Sequence, residues 1–368
     1  MSRAREFADL AGSADAGGLT GRNLIMNGAM QVFQRVTSVS YAHDGTTNAY
    51  SLDRYNFHFL SSENFDCTIA QVSDGPDGFS NSLKITTGTA ESAVAADEYY
   101  TLYQGIEARS LQHLGYGTSS AKTTTLSFYV KSSLTGTFGL SLYQADGSAR
   151  IINKTYTIDS ANTWERKTIN VVGDTAGVIN NDNGGGLYIY WLFGSGSNYD
   201  GGTTATTWAN YTTTNFVHSS SSDALVTTAS ATWQITGVQL EAGEQATPFE
   251  HRSFADELAA CQRYYQKSYN YDVAPGTNTQ VGATYNVTQA TSSYPSAGYS
   301  HFKVEMRAVP TITSYDYGGT SGKMNAGGTA VTPHIQDPAH RGFGNYVNNT
   351  SVGVNSSVSI HYEAASEL

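Results

Sequence analysis

The sequence predicts an all-β protein: a jelly-roll β-sandwich and a smaller C-terminal β domain, joined by one short helix. Three observations carry this. Short segments of alternating apolar and polar side chains recur along most of the chain, separated by turns rich in Gly, Asn, Asp and Ser. The composition favours strands and turns, with 14% charged residues and Gly 37, Tyr 25 and Phe 14 against Met 5. Beyond residues 1–20, only one stretch, near residues 251–262, carries helix signals, and nothing alternates strands with long helices, which excludes a parallel α/β sheet. With 368 residues the chain is long enough to bury two cores.

Residues 1–20 begin with Ala4, Phe7, Leu10 and Ala11 and dissolve into a Gly/Ser/Ala/Asp linker. They read either as a frayed terminus or as a helical attachment and trimerisation segment, since roughly 10 residues of helix gain stability only by packing on partners. Residues 21–250 form the expected jelly roll. Leu24, Ile25, Met26, Met30, Val32 and Phe33 suggest a first strand broken at Asn27-Gly28. Tyr55, Phe57 and Phe59 alternate with Asn56 and His58, and Asp53-Arg54 before them suits a structural salt bridge. Further strands are expected over 82–86, 99–107, 123–132, 137–143, 151–158, 166–172 and 187–193. A long Gly/Ser/Thr/Asn stretch follows over 194–231, where Tyr199, Trp208, Tyr211 and Phe216 argue for order. Trp233, Ile235, Val238 and Leu240 then fit a half-buried strand with a bulge at Gly237.

Ser253 is a good N-cap for the helix expected within 251–262. Asp256 and Glu257 suit its first turn, and Phe254, Leu258 and Cys261 repeat at near-helical spacing. The remaining 263–368 read as the smaller domain. Its strands are expected at 263–269, 280–286, 300–305, 311–315, 344–348 and 358–362.

The order VQLE, AG, ATPFE, HR, a DEL helix and CQRYY over 231–269 resembles the junction in tailed-phage fibre and adhesin proteins between a jelly roll similar to carbohydrate-binding modules and a C-terminal β domain. NLIMNGAMQVFQR at 23–35, AYSLDRY at 49–55, TTLSFYVKSS at 124–133, NTWERKTINV at 162–171 and FKVEMRAVPTIT at 302–313 fall in the matching order. The resemblance implies a virion tail fibre or receptor-binding adhesin that recognises a bacterial surface polysaccharide. It further implies a homotrimer that docks on a phage tail or baseplate protein through residues 1–20. It brings no catalytic residues. A capsid fibre or decoration protein is the structural alternative, and a polysaccharide depolymerase the enzymatic one.

The net charge of −11, with 20 Lys and Arg, leaves no basic stripe for nucleic acid. No run approaches the ~18 apolar residues of a membrane span, so no membrane insertion is expected. Met1-Ser-Arg-Ala-Arg-Glu lacks the apolar core of a signal peptide, which suits a protein made in the host cytoplasm and carried out on a virion. Two cysteines, Cys67 and Cys261, allow one disulfide at most; a reduced core thiol suits Cys261 better.

No nucleophile, metal or phosphate-loop motif is present, and isolated acids such as Asp97, Glu98, Glu107 and Asp200 form no recognisable glycosidase pair. The protein therefore reads as a non-enzyme needing no cofactor. Asp174, Asn180 and Asp182 offer oxygen ligands for a calcium ion, or simply a polar turn. Sugar binding calls for flat apolar faces beside hydrogen-bonding groups. Tyr199, Trp208, Tyr211 and Asn210 bring both into one loop, with Tyr99 and Tyr103 as further candidates. Trp208 suits a sugar platform or an anchor of its own loop. Trp164, Trp191 and Trp233 read as core. Tyr294, Tyr299, Tyr315, Tyr317 and Tyr346 make a second candidate surface.

Overall fold

A computed structural model describes residues 21–41, 46–60, 65–288, 296–347 and 355–368. The attachment segment expected at 1–20 lies outside them. The chain divides into two compact units. The first runs to Gln31, continues over Thr37–Ser253 and takes in Leu368; the second comprises Val32–Val36 and Phe254–Glu367.

The first unit holds β1 (Ser38–Tyr41), β2 (Thr46–Tyr50), β3 (Asn56–Leu60), β4 (Cys67–Val72), β5 (Ser82–Thr87), β6 (Tyr99–Glu107), β7 (Thr124–Ser132), β8 (Gly136–Gln144), β9 (Arg150–Ile158), β10 (Glu165–Val171), β11 (Gly185–Ser195), β12 (Ala209–Asn210) and β13 (Thr232–Ala242). These strands form two antiparallel sheets of a jelly-roll sandwich. One sheet has the order β1-β4-β5-β13-β7-β10 and the other β12-β9-β8-β11-β6-β3-β2.

Strand alternation explains the packing. Tyr100, Leu102 and Ile106 of β6, Leu187, Ile189, Trp191 and Phe193 of β11, and Phe57 and Phe59 of β3 enter one core with Phe128, Ile235 and Trp233 of the facing sheet. The residues between them, including Tyr99, Tyr103, Tyr143, Tyr188 and Tyr190, occupy the opposite face of the seven-stranded sheet. Trp191 and Trp233 are core residues as expected. Trp164 is not: it is half-buried, with the Lys131 ammonium 5.1 Å from its ring centroid and its Nε1 donating to Asp74 at 3.3 Å.

Gly237 has φ +62° at the register shift between Thr236 and Gln239, as a bulge requires. A Cβ there would lie 2.8 Å from the Phe79 ring. The strand expected at residues 24–33 is absent. Asn27 and Met30 take φ of 54° and 55°, so the segment winds irregularly beside β13, bonded through Leu24 N to Leu240 O and Val238 N to Gly28 O, each 2.9 Å. Its apolar pattern is real, since Ile25 and Met30 are fully buried, but burial came without strand geometry. Asp53 and Arg54 are buried, and an Arg54 Nη donates to Gly105 O at 2.7 Å.

The second unit is built on β14 (Tyr265–Lys267), β15 (Thr284–Val287), β16 (Ser296–His301), β17 (Thr311–Tyr315), β18 (Met324–Ala326), β19 (Thr329–Val331), β20 (Pro333–Ala339), β21 (Gly342–Val347) and β22 (Ser357–Ala365). The long β22 pairs with β14, β15, β17 and β18, while β16-β21-β20 form a second small sheet. Met306, Met324, Phe343, Val347, Ile360 and Tyr362 fill the core. Asp337-Pro338 lies within strand β20, where Asp337 takes φ +47° at the register shift. The helix runs Phe254–Gln262 and belongs to this unit. Its expected apolar face is only partly realised: Cys261 is buried, but Phe254 is 46% exposed, its ring edge meeting Tyr271 at 5.3 Å. Both cysteines are buried and neither forms a disulfide. No helix among the described residues is long and apolar enough to cross a membrane.

Candidate functional site

The stretch after β11 does not hang free. It folds back over the outer face of the seven-stranded sheet, passing through a helical turn at Ser197–Asp200, strand β12 and a 3-10 turn at Thr213–Asn215. Ala205, Phe216 and Val217 bury themselves against Ile151 and Leu192, side chains that point away from the main core. Asn153 of β9 fastens the loop to the sheet: its amide oxygen accepts from Ala205 N at 2.8 Å, and its amide nitrogen donates to Phe216 O at 3.2 Å and Ser141 Oγ at 3.0 Å. Val217 N donates to Tyr199 O at 3.0 Å, and a capping box at Thr212 and Asn215 closes the next turn. A polar, Gly-rich segment is thus held in one conformation by buried hydrogen bonds.

Between this loop and the sheet lies an open cleft of about 350 Å³, lined by His58, Leu60, Tyr99, Tyr143, Tyr190, Tyr199, Tyr211 and Phe216. Five sheet positions supply one wall, because β3, β6, β8 and β11 all place an outward side chain there. The loop supplies the other. Phe216 is the hub, 5.0 Å from Tyr190, 5.9 Å from Tyr99 and 6.3 Å from Tyr211 between ring centroids. Tyr211 meets Tyr143 at 5.0 Å, and Tyr99 meets His58 edge-on at 5.2 Å with its hydroxyl 3.3 Å from the imidazole nitrogens.

The cleft is electrically neutral at ordinary pH. Burial pushes the Tyr99 hydroxyl up to about 12, helped by neighbouring tyrosines, and raises Tyr143, Tyr190, Tyr199 and Tyr211 as well. Burial also lowers His58 and so favours uncharged imidazole. Among the described residues the lining contains no carboxylate. Its phenol rings and neutral hydroxyls can stack on the C–H face of a sugar while exchanging hydrogen bonds with hydroxyl groups.

Of the candidates taken from the sequence, Tyr99, Tyr199 and Tyr211 come together here. Tyr103 does not line the cleft; it is buried behind Tyr190, centroids 5.0 Å apart. Asn210 accepts from an Arg150 Nη at 3.0 Å. Trp208 stands apart from the cleft. Its Nε1 donates to Val172 O at 2.7 Å, and its ring packs on the sandwich core edge-on to Tyr116. Its bulk anchors the loop because the tight turn into β12 aims it at the sandwich edge. His58, Leu60, Tyr143, Tyr190 and Phe216 were missed. Tyr143 and Tyr190 were legible in principle: they sit on the outward positions of recognisable strands, where large aromatics are unusual.

The residues expected as calcium ligands have the following partners. The buried Asp174 carboxylate pairs with the Arg150 guanidinium, Asn180 bonds to Asp146 at 3.0 and 3.3 Å, and Asp182 accepts from Gly184 N at 2.8 Å. A guanidinium on Asp174 takes the charge a cation would need. Among the described residues no three His, Cys, Asp or Glu side chains cluster as a metal site. Of the second candidate surface, Tyr294 lies outside the described residues, Tyr299 is 41% exposed, and the Tyr315 hydroxyl is taken by Glu363 at 2.6 Å.

No protein-family model matches the chain, and no curated protein matches it. Solved structures with similar chains include the enzymatically active domain of bacteriophage CBA120 tailspike protein 4 (TM-score 0.31, 14% identity), with 60% of this chain and 21% of that one aligned. They include the family 11 carbohydrate-binding module of a cellulosomal cellulase of Clostridium thermocellum (TM-score 0.28, 10% identity, 63% of this chain and 100% of that one). A putative sugar-binding protein from Bacteroides thetaiotaomicron aligns with TM-score 0.29 and 13% identity over 60% of this chain and 100% of its own. The chain thus spans about a fifth of the tailspike domain, and at these TM-scores no residue correspondence follows.

Proposed function

We propose that this protein is a non-enzymatic glycan-binding adhesin of a phage virion, a tail fibre or receptor-binding protein that holds a bacterial surface polysaccharide. The observation that carries the glycan reading is the tyrosine-lined cleft on the outer face of the seven-stranded sheet, open to solvent and walled on one side by a loop held in place. The virion reading is supported by the resemblance over residues 231–269. In this reading residues 1–20 dock on a tail or baseplate protein, and the chain works as a homotrimer. Each cleft binds weakly; several on one particle act together at high effective concentration. The loop's hydrogen bonds lower the ordering cost of each contact.

Adsorption of virions, or of purified protein, to host cells tests the reading when measured beside thermal melts of Tyr143→Ala and Tyr199→Ala variants. Loss of adsorption with unchanged melting supports the cleft as the glycan site. Normal adsorption by both variants sinks it. Sustained release of reducing ends from host polysaccharide would replace the adhesin with a depolymerase.

A further inference from the structure

The lining of the cleft says which sugars it can take. Among the described residues its polar groups are tyrosine hydroxyls and one imidazole whose charged form burial disfavours, and none of its lining residues is Lys or Arg. Two cations lie on neighbouring β9, outside the cleft lining. Arg150 binds the Asp174 carboxylate, Asn210 and Trp208 O, and Lys154 donates to Thr206 O at 3.3 Å. Acids gather instead near Tyr199. Asp97 is close enough to raise the Tyr199 hydroxyl further after burial has raised it. Asp200, the next residue, accepts from Ser195 Oγ, and Asp223 accepts from Ser195 N, each at 3.1 Å. The chain as a whole carries −11.

An anionic sugar entering here would lose water, find no counter-charge and meet carboxylates nearby. Burying an unpaired charge is among the most expensive steps in recognition. A neutral sugar loses only hydroxyl hydration, which the tyrosines replace.

We propose that the cleft takes an uncharged saccharide, built of neutral hexoses or deoxyhexoses, and excludes sugars bearing carboxylate, sulfate or phosphate. This rests on the glycan-binding reading above and narrows it to one chemical class.

The test uses the full chain and polysaccharide purified from cells that the protein adsorbs, together with matched soluble pairs: galactan and galacturonan, mannan and mannuronan, dextran and dextran sulfate. Affinities are measured by calorimetry at neutral pH and physiological salt. At least one neutral polymer should bind, with its charged counterpart weaker by about a hundredfold or more. Leu60→Arg, which places a guanidinium in the cleft, should narrow that gap by about tenfold or more; His58→Lys provides a second cation if the first variant melts early. Equal or tighter binding of the charged member overturns the neutral-sugar inference and leaves glycan binding standing. A gap unmoved by either folded variant also overturns it. If no polymer, neutral or charged, binds the wild-type protein, the glycan-binding reading falls and takes this inference with it.

Discussion

Tyr99 on β6 and Tyr199 in the loop beyond β11 meet with ring centroids 4.6 Å apart and planes inclined by 61°, one tyrosine from each wall of the cleft. The contact joins the sheet to the loop, so neither ring is a sugar platform independently of the other. Replacing Tyr199, whose ring is the less enclosed, by Ala should weaken glycan or cell binding by about 1–3 kcal/mol, the scale of an interface anchor. Tyr143→Ala should do the same from the sheet side. Calorimetric affinities alongside thermal melts check this. Unchanged affinity in both variants would remove the cleft from consideration.

Trp208→Ala should act in the opposite order. It deletes a ring packed on the core, together with its bond to Val172 O, so it should lower stability by about 2–3 kcal/mol. Binding should fall only as far as the loop loosens, and a Phe at this position should recover most of the packing. A variant with a native melting curve and abolished binding would return Trp208 to the list of direct sugar contacts.

Acid should weaken the cleft before alkali does. Burial lowers His58 from its ordinary 6.5, so its contribution to stability is fully present above about pH 6.5 and is lost as pH falls through the lowered value. Proton uptake there also puts a cation beside Tyr99 and removes an acceptor. Binding should be flat from neutrality to about pH 10 and decline below pH 6.5, and His58→Gln should flatten the acid limb. Imidazole titration by NMR checks the assignment. Burial likewise lowers His113, His218 and His361, so melts without the variant do not isolate this group. At the alkaline end, Tyr99 disfavours its anion, so stability falls only as pH rises above 10 toward about 12.

The second unit should depend on residues far from it in sequence. Gln34 is buried, and its amide donates to Tyr265 O at 2.9 Å; the Arg35 guanidinium lies 3.7 Å from the Tyr265 ring centroid and pairs with Glu367 at 2.8 Å. In the full chain, Gln34→Ala should cost about 1–3 kcal/mol by leaving a buried carbonyl short of a donor. Hydrogen exchange should show the loss at β14 and β22 while the sandwich core keeps its protection. Uniform protection across both units would contradict this assignment of Val32–Val36.

The sequence by itself determined the β class, most strand positions, the Gly237 bulge, the helix near residue 254 and the ordered character of the 194–231 stretch. All of these follow from local rules: alternation along a strand, positive φ at glycine, and the cost of leaving aromatics in a loop without partners. Tyr99, Tyr199 and Tyr211, which line the cleft, were legible as candidates because aromatics beside polar groups stand out in a linear reading. Only the tertiary structure decided which of them share a site. The cleft exists because the loop returns across β9, β8, β11 and β6, a path set by the Asn153 hydrogen bonds and the burial of Phe216. That path brought in Tyr143, Tyr190 and His58 and turned Trp208 toward the sandwich edge. Likewise the apolar run at residues 24–33 announced burial but not conformation, because hydrophobicity records what leaves water, whereas the positive φ of Asn27 and Met30 belongs to a turn closed by Met30 N on Asn27 O, with Gly28 bonded to β13.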